Sequence, residues 1–114
     1  MKAPGAGPQR FHSADLRDGV PAPLDARVFE VSAIVLDPPR GGLSAPLALQ
    51  LARHARGRVV YVSCDPPALG RDLARFAAEG PWEVTHLALH DMFPRTAHVE
   101  AIAVLTRRSD SEGA

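Results

Sequence analysis

The hydrophobic positions of this chain fall into two kinds of stretch, short continuous runs and longer segments with helical spacing. The runs end at proline, glycine or charged residues, and they predict four strands, at residues 32–36, 59–62, 82–89 and 100–106. The run at 59–62 contains only Val and Tyr, so it predicts a central strand that is buried on both faces. The periodic segments predict two helices, at residues 44–55 and 65–80.

Both predicted helices carry sequence signals at their ends. Ser44 and Asp65 are good N-caps, Pro66 suits the first helical position, and Gly57 is expected to end the first helix. The buried stripe of the first helix is predicted to be Leu47, Ala48, Leu51, Ala52 and Ala55. That of the second helix is predicted to be Leu69, Leu73, Phe76 and Ala77.

The remaining segments are shorter or more polar. Residues 10–16 are expected to form a short strand, and residues 17–27 a loop with one helical turn. We expect residues 1–9 to be disordered because they are rich in Pro, Gly and Ala, and residues 109–114 to be a polar tail. The folded part is thus expected to be a single domain over residues 10–108.

The order of the elements predicts an α/β fold with two crossover helices and three parallel strands. The last connection, at residues 90–99, has no helical pattern, so the fourth strand is expected to return antiparallel. The carboxyl ends of the parallel strands and the amino end of the antiparallel strand meet at one edge of a sheet. Asp37, Cys64 and Glu100 are therefore expected to lie together.

Composition narrows the classes of function. The chain has 114 residues and zero formal net charge, so it lacks the general positive charge with which proteins grip a nucleic acid backbone. Its single cysteine excludes an internal disulfide and agrees with a reducing compartment. No apolar run approaches the roughly 20 residues of a membrane span, and we expect a cytoplasmic protein.

Cys64 is the first candidate for chemistry. It lies between the predicted central strand and a helix N-terminus, where free N–H groups and the helix dipole favour a thiolate. Taken alone, a cysteine at this position is more often a small buried hydrophobic residue. Asp37 could equally be a residue that ends a strand, and Glu100 an ordinary surface charge. His86 and His90 are expected to be hydrogen-bonded within the protein or exposed to solvent and not to bind a metal, because no spaced Cys/His cluster accompanies them.

Three segments of the sequence favour catalytic roles for these residues over structural ones. The sequences DPPRGG at 37–42, VSCDP at 62–66 and DMFPRTAHVE at 91–100 resemble, in order and spacing, the three signatures of the RNA 5-methyluridine methyltransferases. That family uses S-adenosylmethionine to methylate a uracil in ribosomal or transfer RNA. The resemblance implies part of a Rossmann-like class I methyltransferase fold, with the last strand inserted between the central strand and the Trp82 strand.

The resemblance also implies roles for the residues that match the signatures. Cys64 matches the nucleophile that adds to carbon 6 of uracil, and Glu100 matches the base that removes the proton at carbon 5. Asp37 matches a residue beside both the target base and the cofactor, and Asp15 matches the acid that reads the adenine. The family usually has asparagine where this chain has Asp65, and either residue can cap the helix.

Two further residues are candidates for substrate binding. Arg40 is expected either to contact an RNA phosphate or to pair with an acid. His98 is expected either to orient Glu100 or to have a structural role, and the structural role is favoured.

Two other functions stay open. One alternative to a uracil methyltransferase is a non-catalytic remnant or interaction module, which would self-associate through an orphaned sheet edge. The other is an RNA cytosine-C5 methyltransferase, which also uses a cysteine nucleophile. The resemblance at residues 93–100 favours uracil over cytosine.

A complete Rossmann-like methyltransferase begins with a glycine-rich turn after its first strand, and no such unit precedes Phe11 in this sequence. We therefore expect the chain to be the carboxyl half of a catalytic domain, from a truncated gene, a mis-called start or a dissected piece.

The missing turn leads to a prediction about the cofactor. The 114-residue chain should bind S-adenosylmethionine weakly, because the backbone N–H groups of that turn are not part of it. Isothermal titration calorimetry with the isolated chain is the measurement, and a micromolar dissociation constant would contradict the prediction.

Overall fold

A mixed four-stranded sheet forms the centre of the computed structural model, which describes residues 12–91 and 99–108. The strands are β1 Ala33–Leu36, β2 Arg58–Ser63, β3 Trp82–Asp91 and β4 Val99–Arg107. The helices are α1 Leu24–Val28, α2 Ala45–His54 and α3 Pro66–Glu79. The loop with one helical turn predicted over residues 17–27 is thus confirmed by α1.

The order of the strands across the sheet is β1-β2-β4-β3. β1 pairs with β2 in parallel, and β4 runs antiparallel to both β2 and β3. The predicted topology, with three parallel strands and an antiparallel last strand between β2 and β3, is therefore confirmed.

The predicted N-caps are confirmed as well. The Ser44 side chain accepts a hydrogen bond from the Leu47 N–H at 3.3 Å, and the Asp65 carboxylate accepts one from the Ala68 N–H at 3.4 Å. Each helix also has proline in its first turn, where no N–H partner is needed. These caps place both helix N-termini at the carboxyl edge of the parallel strands.

The prediction that Gly57 ends α2 is wrong. The helix ends at His54, and Ala55 leaves it in an extended conformation. Gly57 lies further along, in the loop before β2, with φ 77°. A Cβ atom there would come 2.3 Å from the Ser32 carbonyl oxygen, so the glycine lets two backbone segments pass closely.

The strand predicted over residues 10–16 is also absent from the described part, where residues 12–16 are irregular. The chain after them is held by a side chain, because Gln50 of α2 accepts from the Val20 N–H at 2.6 Å and donates to the Val20 carbonyl at 3.1 Å. A side-chain clamp thus takes the place of ladder hydrogen bonds.

Within residues 12–91 and 99–108, only one face of the sheet carries a packed core. Both α2 and α3 cover the face that holds Val59, Tyr61 and Leu105, all of which are buried. On the opposite face Val60 is half-buried and Val35 is 71% exposed. The expectation of a central strand buried on both faces is therefore wrong for the described residues.

Two of the four residues predicted for the buried stripe of α3, Leu69 and Phe76, are buried, and Leu73 is half-buried against the core. Ala77 is exposed, and the buried residues are Ala68, Leu69, Asp72 and Phe76. The carboxylate of Asp72 accepts hydrogen bonds from the Tyr61 hydroxyl at 2.6 Å and from the Leu43 N–H at 2.9 Å. A buried carboxylate is tolerated only when such donors replace its water.

Burial, followed by the hydrogen bond to Asp72, raises the pKa of Tyr61 above its ordinary value. The phenol therefore stays protonated and remains a donor to the carboxylate at physiological pH.

Replacing Tyr61 with phenylalanine should destabilise the chain by about 1–3 kcal/mol, because the buried Asp72 carboxylate loses a donor without gaining water. Urea unfolding followed by circular dichroism measures this loss. Thr85→Val removes an exposed cross-strand hydroxyl contact and should change stability by less than about 0.5 kcal/mol. Equal effects of the two substitutions would contradict the prediction.

Candidate active site

Three residues singled out from the sequence lie at the carboxyl edge of the parallel strands. Asp37 directly follows β1, and Cys64 directly follows β2. In the register of β2 with β4, Ser63 pairs with Ala101, so Cys64 is level with Glu100 at the start of β4. The structure thus brings Cys64 and Glu100 to adjacent strands at the same height, with Asp37 one strand further along.

Cys64 is exposed and lies in a tight turn between β2 and α3. The Ser63 hydroxyl accepts from the Asp65 N–H and donates to the Asp65 carbonyl, both at 3.0 Å. This side chain bridges the turn on both sides of Cys64. The thiol therefore stands at the surface on a bend that is fixed by hydrogen bonds.

Asp65 connects this turn to the loop after β1. One carboxylate oxygen accepts from the Gly41 N–H at 3.0 Å, while the other caps α3. The hydrogen bond from Gly41, followed by that from Ala68, lowers the pKa of Asp65 below its usual value. The negative charge of this carboxylate is thus stabilised by hydrogen bonds from backbone N–H groups.

A cleft of about 520 Å³ opens beside the end of β1. Asp15 and Asp37, the two residues matched to cofactor contacts, both line it. Its walls are mainly apolar and include Leu16, Val35, Leu36, Pro38, Pro39, Leu43 and Leu47. The exposed Asp15 carboxylate also accepts from the Arg17 N–H at 2.9 Å. Apolar walls with carboxylates at the rim suit a nucleoside, whose base packs on side chains and whose hydroxyl and amino groups donate.

Arg40 is not among the residues that line this cleft. Arg40 is exposed, in the turn that follows Pro39. His98 lies outside the described residues. His86 and His90 are exposed on β3, and no group of three potential metal ligands occurs within residues 12–91 and 99–108.

Sequence reasoning did not identify two features of this edge. His90 is the direct cross-strand partner of Glu100, which follows only from the register of β3 with β4. Arg71 and Asp72 of α3 both bond to the backbone of the loop after β1. Their helical spacing from Asp65, six and seven residues, is a signal in the sequence, but it does not reveal the partner loop.

The part of the chain that the structure describes contains no helix that is both long and apolar enough to cross a membrane.

The chain is similar in sequence to proteins of one known family. The profile of the tRNA (Uracil-5-)-methyltransferase family matches residues 21–108. A 23S rRNA (uracil(1939)-C(5))-methyltransferase of Chromohalobacter salexigens is 47% identical over 87 residues, which make up 74% of this chain and 18% of that protein. An uncharacterized RNA methyltransferase of Streptomyces coelicolor is 47% identical over 78 residues, which are 68% of this chain and 17% of that protein.

A solved structure is similar in fold as well as in sequence. The tRNA (uracil-54, C5)-methyltransferase of Pyrococcus abyssi, crystallised with S-adenosyl-L-homocysteine, superposes with a TM-score of 0.68 at 33% identity. The superposition covers 84% of this chain and 22% of that one.

The chain spans about a fifth of the length of the relatives that it matches, between 17% and 22%. The family profile nevertheless covers most of the chain, from β1 through β4, and includes Asp37, Cys64 and Glu100. The resemblance predicted from the three signatures is therefore confirmed, and this chain belongs to the tRNA (uracil-5-)-methyltransferase family.

Proposed function

We propose that this chain supplies the nucleophile and the base of an S-adenosylmethionine-dependent RNA (uracil-C5)-methyltransferase, as the carboxyl-terminal part of its catalytic domain. One observation carries the proposal. Cys64 follows β2 at the height at which Glu100 begins β4, so a thiol and a carboxylate stand on adjacent strands at one sheet edge. Neighbouring strands are about 5 Å apart, a spacing at which both groups reach one pyrimidine ring.

Cys64 acts first in this mechanism. Carbon 5 of uracil is too poor a nucleophile to accept a methyl group directly. The Cys64 thiolate adds to carbon 6, and the electron pair of the carbon 5–carbon 6 double bond moves into an enolate. Carbon 5 thereby becomes nucleophilic. The exposed position of Cys64 supports this role, because the thiol can meet a base presented from solution.

S-adenosylmethionine, when bound, supplies the methyl group as a sulfonium. Asp15 and Asp37 would hold its polar groups at the rim of the cleft, and Leu36 and Pro38 would pack on the apolar parts. Asp37 would also face the target base, because it is the cleft residue that directly follows β1 at the edge with Cys64.

Glu100 acts last. Its carboxylate removes the proton at carbon 5, the carbon–hydrogen electron pair re-forms the double bond, and the bond between carbon 6 and sulfur breaks. The Cys64 thiolate leaves and is ready for another cycle. Arg40, exposed on the neighbouring loop, is available to an RNA phosphate.

The two catalytic residues act at different steps, so their replacements should fail differently. The test uses the Chromohalobacter salexigens methyltransferase with residues 21–108 of this chain in place of its own. Cys64→Ala should form no covalent RNA adduct. Glu100→Gln should still form the methylated adduct but resolve it about 10²- to 10⁴-fold more slowly, so that a protein–RNA band accumulates on a denaturing gel.

Glu83→Gln is the matched control, since Glu83 lies on β3 at the opposite end of the sheet, paired with Thr106. It should release methylated RNA at the unaltered rate. Free methylated RNA released at that rate by Glu100→Gln would show that Glu100 is not the base. A covalent RNA adduct formed by the Cys64→Ala variant would show that Cys64 is not the nucleophile.

A second candidate, a non-catalytic module that self-associates through its sheet edge, is favoured by one observation. β1 is at the edge of the sheet, and no described strand pairs with its outer side. Val31 and Val35 next to that edge are 43% and 71% exposed. Such an edge is a template for pairing with another chain.

Sedimentation velocity over a range of concentrations tests this candidate. Association through β1 should give a dimer that Val35→Lys shifts towards monomer, while Val84→Lys on β3 leaves it unchanged. A chain that stays monomeric at every concentration would rule out self-association through this edge.

A further inference from the structure

In the described contacts, the loop between β1 and α2 is held in place by hydrogen bonds to its backbone and not by contacts of its reactive side chains. This loop, residues 37–44, carries Asp37 and Arg40, both of which are exposed. Gly41 and Gly42 within it have φ angles of 91° and 75°, and the Gly42 N–H donates to the Pro39 carbonyl at 3.0 Å. Prolines 38 and 39 fix their own φ angles, and the two glycines depend on contacts with the rest of the chain for their conformation.

Three side chains of α3 and its cap bind this backbone. Asp65 accepts from the Gly41 N–H at 3.0 Å, and Asp72 accepts from the Leu43 N–H at 2.9 Å. Arg71 donates through Nη2 to the Gly41 carbonyl and, at 3.3 Å, to the Leu43 carbonyl. The N–H and the carbonyl of both loop residues are thus engaged by α3 and its N-cap Asp65, which directly follows Cys64.

The fit leaves no space for a side chain at Gly42. A Cβ atom at Gly42 would come 2.6 Å from Asp72 Oδ2 and 2.9 Å from Arg71 Nη2. The glycine is required both by its φ angle and by this approach. The loop backbone therefore lies directly against the two charged side chains.

We propose that Arg71 is a positioning residue: together with Asp65 and Asp72 it locks the loop backbone to α3 and thereby fixes Asp37 and Arg40 relative to Cys64. The guanidinium is suited to this because it presents several donors in a planar fork and can satisfy two carbonyls at once. The functional part of this proposal rests on the proposed methyltransferase activity. The structural lock does not, so the two can fail separately.

Arg75 provides the matched control. It lies one turn further along α3 and, like Arg71, has a guanidinium nitrogen 3.4 Å from Asp72 Oδ1. In the described contacts only Arg71 of the pair also reaches the Gly41 and Leu43 carbonyls. A comparison of the two therefore separates the loop contact from the ion pair with Asp72.

Amide hydrogen exchange of the 114-residue chain, followed by NMR, tests the lock without any need for activity. Arg71→Ala should speed exchange at the Gly41 and Leu43 amides about tenfold relative to those of the buried β2 residues Val59 and Tyr61. Arg75→Ala should leave this ratio within about twofold. Arg71→Lys, which keeps the charge but loses the fork, should give an intermediate ratio.

A uniform change at all these amides, or equal ratios for the two alanine variants, would overturn the lock. In the chimeric methyltransferase, Arg71→Ala should slow adduct formation about 10- to 100-fold at saturating RNA, with Arg75→Ala near the unaltered rate. Faster amide exchange at Gly41 and Leu43 without slower adduct formation would refute the positioning role. The variants Cys64→Ala and Glu100→Gln test the reaction itself.

Discussion

The hydrogen bonds of the buried Asp72 carboxylate are the contacts on which the candidate site at the sheet edge depends. It joins three parts of the chain, since Tyr61 belongs to β2, Leu43 to the loop after β1 and Asp72 itself to α3. A charge with no exposed surface must keep its donors, so the helix cannot shift without breaking several hydrogen bonds at once. The packing of α3 and the conformation of the loop are thereby coupled.

That coupling matters because the proposed chemistry uses residues from separate segments. Asp37 and Cys64 follow parallel strands, while Glu100 begins an antiparallel one. The placement of β4 between β2 and β3 is what brings Glu100 level with Cys64. A fourth parallel strand would have put Glu100 at the opposite end of the sheet, far from the thiol.

Local signals in the sequence were sufficient for most elements. Ser44 and Asp65 cap their helices because a short polar side chain followed by proline satisfies the first free N–H groups, which needs no distant partner. The predictions that were wrong depended on distant partners. Residues 12–16 find no strand to pair with in the described part, and Gly57 serves a contact with Ser32 instead of ending a helix.

By itself the sequence determined the family, through the resemblance of three motifs, and the order of the four strands and of the helices that connect the first three, through local caps and hydrophobic spacing. Only the tertiary structure decided that Asp72, a charged residue, belongs to the buried stripe of α3, because its donors come from β2 and from the loop after β1. The register that sets His90 beside Glu100 was likewise decided by strand pairing. Such contacts join residues far apart in the chain, and no local pattern of hydrophobic and polar positions encodes them.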